Sequence, residues 1–180
     1  VLYDRMRAER DMGLIPEPIL EDMGREAGSK YHAFLEVDRS EQTSRLIDVI
    51  TAGEENDAQA LLSFASSDDP PTRYWAAVWL GVNQHRKAIP VLEKLVEDDT
   101  PAVRVAAAQV LCKLGDDNQL KLLVNHIGDP NMLVGMFAIR AIEELGDAGK
   151  PYHAEIAEAL ESGYEFTRRI ARRLTKKWMP

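Results

Sequence analysis

The chain has 180 residues, 45% of them hydrophobic and 29% charged, and a formal net charge of −8. That is enough apolar material for the core of one compact domain or one short array, and no apolar run approaches the roughly 20 residues of a membrane helix. The single cysteine, Cys112, excludes an internal disulfide and a paired-cysteine metal site, and the acidic balance excludes the broad basic face of a general nucleic-acid binder.

Residues 1–39 come first and do not repeat. They read as a short helix, the turn "GLIPEP" and a second helix beginning near Pro18, an arm ahead of the main body. The opening on Val1 and the lack of a signal peptide are expected of a fragment of a longer protein. Ser40–Ala52 then supplies Leu46, Ile47, Val49 and Ile50, a leading helix capped by Ser40.

From about residue 56 the chain repeats itself every 31 positions. "DDTPAVRVAAAQVLCKLGD" (98–116) lies over "DPNMLVGMFAIRAIEELGD" (129–147), so Val103 meets Val134, Ala107 meets Ala138 and Leu111 meets Ile142. Backward by the same step, Pro101 meets Pro70, Arg104 meets Arg73 and Leu111 meets Leu80. Between these stretches Ala58 and Leu61, Ile89 and Leu92, and Leu120 and Leu123 also align. Self-similarity at this period means stacked units, each too small to bury its own apolar face.

Each unit reads as two helices. The first opens on an acidic or Thr cap followed by Pro, which has no N–H to leave unpaired there. Its apolar positions 103, 106, 107, 110, 111 and 114 follow one helical face, and Gly115 or Gly146 ends it. Alanines at 76, 77, 107, 108 and 138 mark a close seam, and the leading arginines can reach acids or carbonyls of an adjacent turn. Asp98, Asp99 and the acids of 54–57 read as helix caps and turn acids. At the far end, 151–161 and 164–177 form a last pair in shifted register with a charged outer face, as a capping unit requires.

This pattern resembles the HEAT repeats of the short, phycobilisome-lyase type, whose signature D-P-x-V-R-x-x-A-A-x-A-L-x-x-L-G-D is close to 98–116. The resemblance covers roughly 56–147. It implies an all-α fold, an α-α superhelix forming a short right-handed solenoid of about four hairpins over 40–180, behind the N-terminal helical arm.

The arm resembles a second family. Bacterial sulfatases of the alkaline-phosphatase-like superfamily sometimes carry HEAT-like C-terminal extensions, entered through a segment like R-D-x-G-L-[IL]-P-E-x-x-[LM]. Arg10, Asp11, Gly13, Leu14, Ile15, Pro16, Glu17 and Leu20 match it, with Ser29 and Tyr31 following. The sulfatase nucleophile motif, C-x-P-x-R or S-x-P-x-R, does not occur in the chain, so no catalytic residue carries over. The resemblance therefore implies a non-catalytic C-terminal domain with no cofactor of its own. Its parent would use calcium and formylglycine and would be periplasmic or secreted. The implied partners are the upstream catalytic domain, another protein or a sulfated polysaccharide, and neither nucleic acid nor a membrane. The alternative is a HEAT adaptor unrelated to sulfatases.

Candidate surfaces are few. His32, His85, His126 and His153 are scattered without adjacent Glu, unlike the His-Glu pairs of HEAT-type metal hydroxylases. Cys112 sits in an apolar helical pattern and reads as an inert buried thiol. Trp75 and Trp79 fall on the apolar stripe and read as core rather than as a sugar platform, while Tyr74, one position off, is the expected exposed aromatic. Arg168, Arg169, Arg172, Arg173, Lys176 and Lys177 form a basic run without an acid, leaving 16 basic against 30 acidic residues elsewhere. With Ile170 and Leu174 on its other face, that run reads first as a solvated or docking cap and second as a binding surface.

Overall fold

In the computed structural model, residues 40–178 are described together with Glu21, Gly24, Arg25 and Gly28. The rest of the expected arm, including the whole sulfatase-like segment, lies outside the described residues. Within 40–178 the chain forms α1 (Ser40–Glu54), α2 (Ala58–Phe64), α3 (Pro70–Val82), α4 (Ile89–Leu95), α5 (Pro101–Lys113), α6 (Leu120–Asn125), α7 (Met132–Leu145), α8 (His153–Glu158) and α9 (Glu165–Trp178). No strand occurs among the described residues. The fold is the all-α stack the period implies.

The odd-numbered helices form one row, each packed on the next from α1 to α9. The shorter even-numbered helices form the second layer, and each lies against the odd helix that follows it. α4, α6 and α8 are entered through 3-10 turns at Arg86–Ala88, Asp117–Gln119 and Gly146–Tyr152. α5 is the middle of the row. Ala102, Val103, Val105, Ala106, Ala107, Ala108, Val110, Leu111 and Cys112 are all buried, because helices cover it on both sides and from behind. A one-faced stripe was the expectation; a helix flanked on three sides needs apolar residues around most of its circumference. The alanine seam holds, with Ala76, Ala77, Ala107, Ala108 and Ala138 fully buried.

The turns repeat as strictly as the helices. Ahead of α3, α5, α7 and α9, a side chain accepts from the backbone N–H two residues on: Ser67 from Asp69 (3.2 Å), Asp98 from Thr100 (2.9 Å), Asp129 from Asn131 (2.9 Å) and Ser162 from Tyr164 (3.2 Å). The first three stand 31 residues apart. The N-cap positions themselves are Asp69, Thr100 and Asn131. Asp98 is therefore a turn acid and not the cap of α5, and Thr100 makes no side-chain capping bond. Among 54–57, Asp57 does cap α2, accepting from Gln59 and Ala60 at 3.0 Å each.

The leading arginines lock these turns. Arg73 Nη1 donates to the Ser67 carbonyl at 2.9 Å, Arg104 Nη1 to the Asp98 carbonyl at 2.6 Å, and Arg168 Nη1 to the Ser162 carbonyl, each six residues back. α7 has Gly135 in the corresponding place, and a Cβ there would stand 2.6 Å from the Ile127 carbonyl oxygen, so no side chain fits.

At the helix ends, Asp57 N–H reaches the Ala52 carbonyl (2.8 Å), His85 that of Leu80 (3.0 Å) and Asp116 that of Leu111 (2.9 Å), the bond of a Schellman close. The left-handed residue it needs is Asn56 (φ 59°), Gln84 (φ 54°) and Gly115 (φ 106°) in turn. Gly115 is the only one of these three that avoids the Cβ penalty.

Candidate interaction groove

The odd-numbered row presents a groove of about 290 Å³ across α3, α5 and α7. Its walls come from the same helical positions in each repeat. Tyr74, Val78 and Val82 of α3 correspond to Val105, Gln109 and Lys113 of α5 and to Met136, Arg140 and Glu144 of α7, each 31 residues on. Successive members of each set are four residues apart, so each helix contributes one ridge about two turns long, roughly 12 Å.

One end is aromatic. Tyr74 meets Trp75 edge-on, with centroids 5.4 Å apart at 87°, and faces Phe137 of α7 at 6.1 Å and 39°. The rings reach each other across the intervening α5 because it places only Val105 and Ala106 at this level. Along α3 the wall is aliphatic, with Val78 in the middle and Val82, 62% exposed, at the far end level with Lys113 and Glu144.

The other end is charged. Glu144 accepts from Gln109 Nε2 at 2.8 Å, Lys113 Nζ at 3.2 Å and Arg140 Nε at 3.4 Å. Burial opposes its ionisation, but Lys113, Arg140 and Gln109 outweigh that and hold the carboxyl below its usual range. Two cations thus share one carboxylate.

The sequence-expected residues divide. Tyr74 lines the groove, half-buried in ring contacts, rather than standing as an exposed aromatic. Trp75 and Trp79 are half-buried and packed on the core but do not act together. Trp75 joins the groove wall, whereas Trp79 lies over Gly53 of α1, where a Cβ would stand 2.1 Å from its ring.

The basic run is on α9, with Ile170, Ala171, Leu174 and Trp178 buried against the stack. Its cations are largely answered locally. Arg168 and Arg172 pair with Glu165 at 2.7 and 3.2 Å, Arg173 grips Glu143 at 2.8 and 3.0 Å, and Lys177 meets Asp147 at 2.6 Å. Arg169 lies 5.1 Å over the Phe166 ring, and Lys176 is exposed. These acids are drawn from α7 and its exit turn as well as from α9's own start, which is why the run looked unopposed in sequence.

Cys112 is buried, and burial pushes its thiol up to about 12, with Asp117 and Asp116 adding to the shift. It is not a thiolate near neutral pH. Among the described residues no group of three or more His, Cys, Asp or Glu is placed to hold a metal ion. No helix among them is long and apolar enough to cross a membrane.

Residues 58–134 and 95–173 match the family model for HEAT repeats. No curated protein matches the chain.

Proposed function

This chain belongs to the HEAT-repeat family, and on that premise we propose that it is a non-catalytic protein-interaction module whose binding surface is the α3–α5–α7 groove. The observation that carries this reading is the in-register convergence of Tyr74/Val105/Met136, Val78/Gln109/Arg140 and Val82/Lys113/Glu144 on one channel with an aromatic end and a charged end. A two-turn channel of this kind suits a short helical or extended segment presenting a few apolar side chains. α9 is the weaker candidate, because most of its cations already have intramolecular partners.

The test is selection of displayed random peptides on the folded protein, followed by binding to the Tyr74→Ala and Val82→Gln variants. Selected peptides are expected to lose affinity for both variants while circular dichroism stays helical. Peptides indifferent to both changes, or sensitive only to Arg172→Ala and Arg173→Ala, would refute the groove.

The finer reading is that this module belongs to a bacterial sulfatase, as its accessory C-terminal part. It rests on the match of Arg10, Asp11, Gly13, Leu14, Ile15, Pro16, Glu17 and Leu20 to the segment that joins sulfatase domains to such extensions. A periplasmic or secreted location, contact with an upstream catalytic domain and help in placing a sulfated substrate belong to the same proposal. Sequencing the coding region upstream of Val1 decides it. A C-x-P-x-R or S-x-P-x-R motif several hundred codons earlier is the expected result; an initiation codon or an unrelated domain contradicts it.

A further inference from the structure

We infer that the groove's charged end is a carboxylate-recognition site, so that its occupant is an apolar peptide segment carrying an Asp or Glu one to two helical turns from its anchoring side chains. This deepens the proposed function and rests on it. Gln109, Lys113 and Arg140 come from two adjacent helices and converge on one point, where Glu144 now sits. An ammonium and a guanidinium together carry more N–H donors than one carboxylate accepts, so donors remain after Glu144 is satisfied. The site is open to a second acid: Lys113, Arg140 and Glu144 keep 44%, 54% and 44% of their side-chain surface exposed. Two cations against one anion leave this end net positive, in a chain whose overall charge is −8. The aromatic end holds no cation among its ring residues, so the polarity along the channel fixes direction: apolar anchor at Tyr74 and Phe137, acid at Lys113 and Arg140.

The spacing sets the sequence rule. Tyr74, Val105 and Met136 lie one turn from Gln109 and Arg140 and two turns from Lys113 and Glu144, roughly 6 and 12 Å along the helices. A helical occupant would therefore place its acid about four to eight residues from its leading apolar residue.

The probe is the displayed library of randomised peptides, about three helical turns long. Enriched sequences are expected to pair aliphatic or aromatic residues with Asp or Glu at that separation. Replacing the acid by its amide in a synthesised winner is expected to weaken binding about fivefold, the scale of an exposed ion pair. The Lys113→Gln/Arg140→Gln double variant should erase the difference between the acid and amide peptides. Winners that depend on Tyr74 and Val82 but bind equally as acid and amide would overturn carboxylate recognition and leave the groove standing. Winners enriched in Lys or Arg would overturn it too. Winners that ignore Tyr74 and Val82 would overturn both readings.

Discussion

Two joints hold the groove together, and they are built differently. Between α3 and α5, Arg73 meets Asp98 directly, Nε to Oδ2 at 2.7 Å and Nη2 to Oδ1 at 2.9 Å, with both side chains mostly buried. Between α5 and α7 the corresponding arginine and acid, Arg104 and Asp129, are bridged by a histidine. Arg104 Nε donates to His126 Nε2 at 3.3 Å, and His126 Nδ1 stands 3.2 Å from Asp129 Oδ2. Those two contacts define a neutral imidazole, protonated on Nδ1 and accepting on Nε2. The first joint is a charge-assisted, two-pronged clamp that does not change near neutral pH. The second depends on the ring staying neutral.

The largest effect should come from the direct clamp. Asp98→Ala strands the Arg73 guanidinium and the Thr100 N–H, and should cost about 3 kcal/mol in denaturant unfolding. Asp129→Ala removes only a histidine contact and the Asn131 N–H bond, and should cost about half as much. Equal losses, or the reverse order, would break the comparison.

The second effect is on pH. Burial, then the nearby Arg104, push His126 below its usual range against the pull of Asp129. In the unfolded chain the ring titrates near its ordinary value of about 6.5. Between the two values the unfolded state holds a proton that the folded state does not, so stability rises with pH there. The contribution is complete above the unfolded value and lost as pH falls toward the folded one. Thermal midpoints of the wild type should drop on going from about pH 7.5 to about pH 5 by more than those of His126→Gln. Parallel curves would remove the histidine from the account.

Smaller again are the helix exits of the same two repeats. Gln84 holds at φ 54° the position that Gly115 holds at φ 106°. Gln84→Gly should stabilise by about 0.5–1 kcal/mol, and Gly115→Ala should destabilise by about 1 kcal/mol. Smallest of all, Arg172→Ala and Lys177→Ala should leave the thermal midpoint unchanged, since these ion pairs and their acid partners Glu165 and Asp147 are exposed.

Much of this was legible in the sequence, for a physical reason. Period, alanine seam and the Pro in the first turn of α3 and α5 are local features, and those helices follow them; α7 departs, with Asn131 as its cap after Pro130, and the exits at Asn56 and Gln84 carry no glycine to mark them. Asp98 was read among helix caps and turn acids, and the turn role is the one it takes; which acid the leading Arg73 reaches spans 25 residues and has no local signature. The basic run on α9 looked free because Glu143 and Asp147 lie some 30 residues earlier. The groove was missed for the same reason. Val105, Gln109 and Arg140 are unremarkable alone and become a site only when the stack sets them beside Tyr74 and Phe137. Reading the aligned positions 74/105/136 as a column, rather than each helix as a row, would have shown it.

The most direct test of the groove is hydrogen exchange on the whole chain with and without a selected peptide. Slowed exchange is expected together in Tyr74–Val82, Val105–Lys113 and Met136–Glu144, with Glu165–Trp178 unchanged. Protection confined to Glu165–Trp178, with those three segments untouched, would contradict the account and return the binding surface to the basic helix.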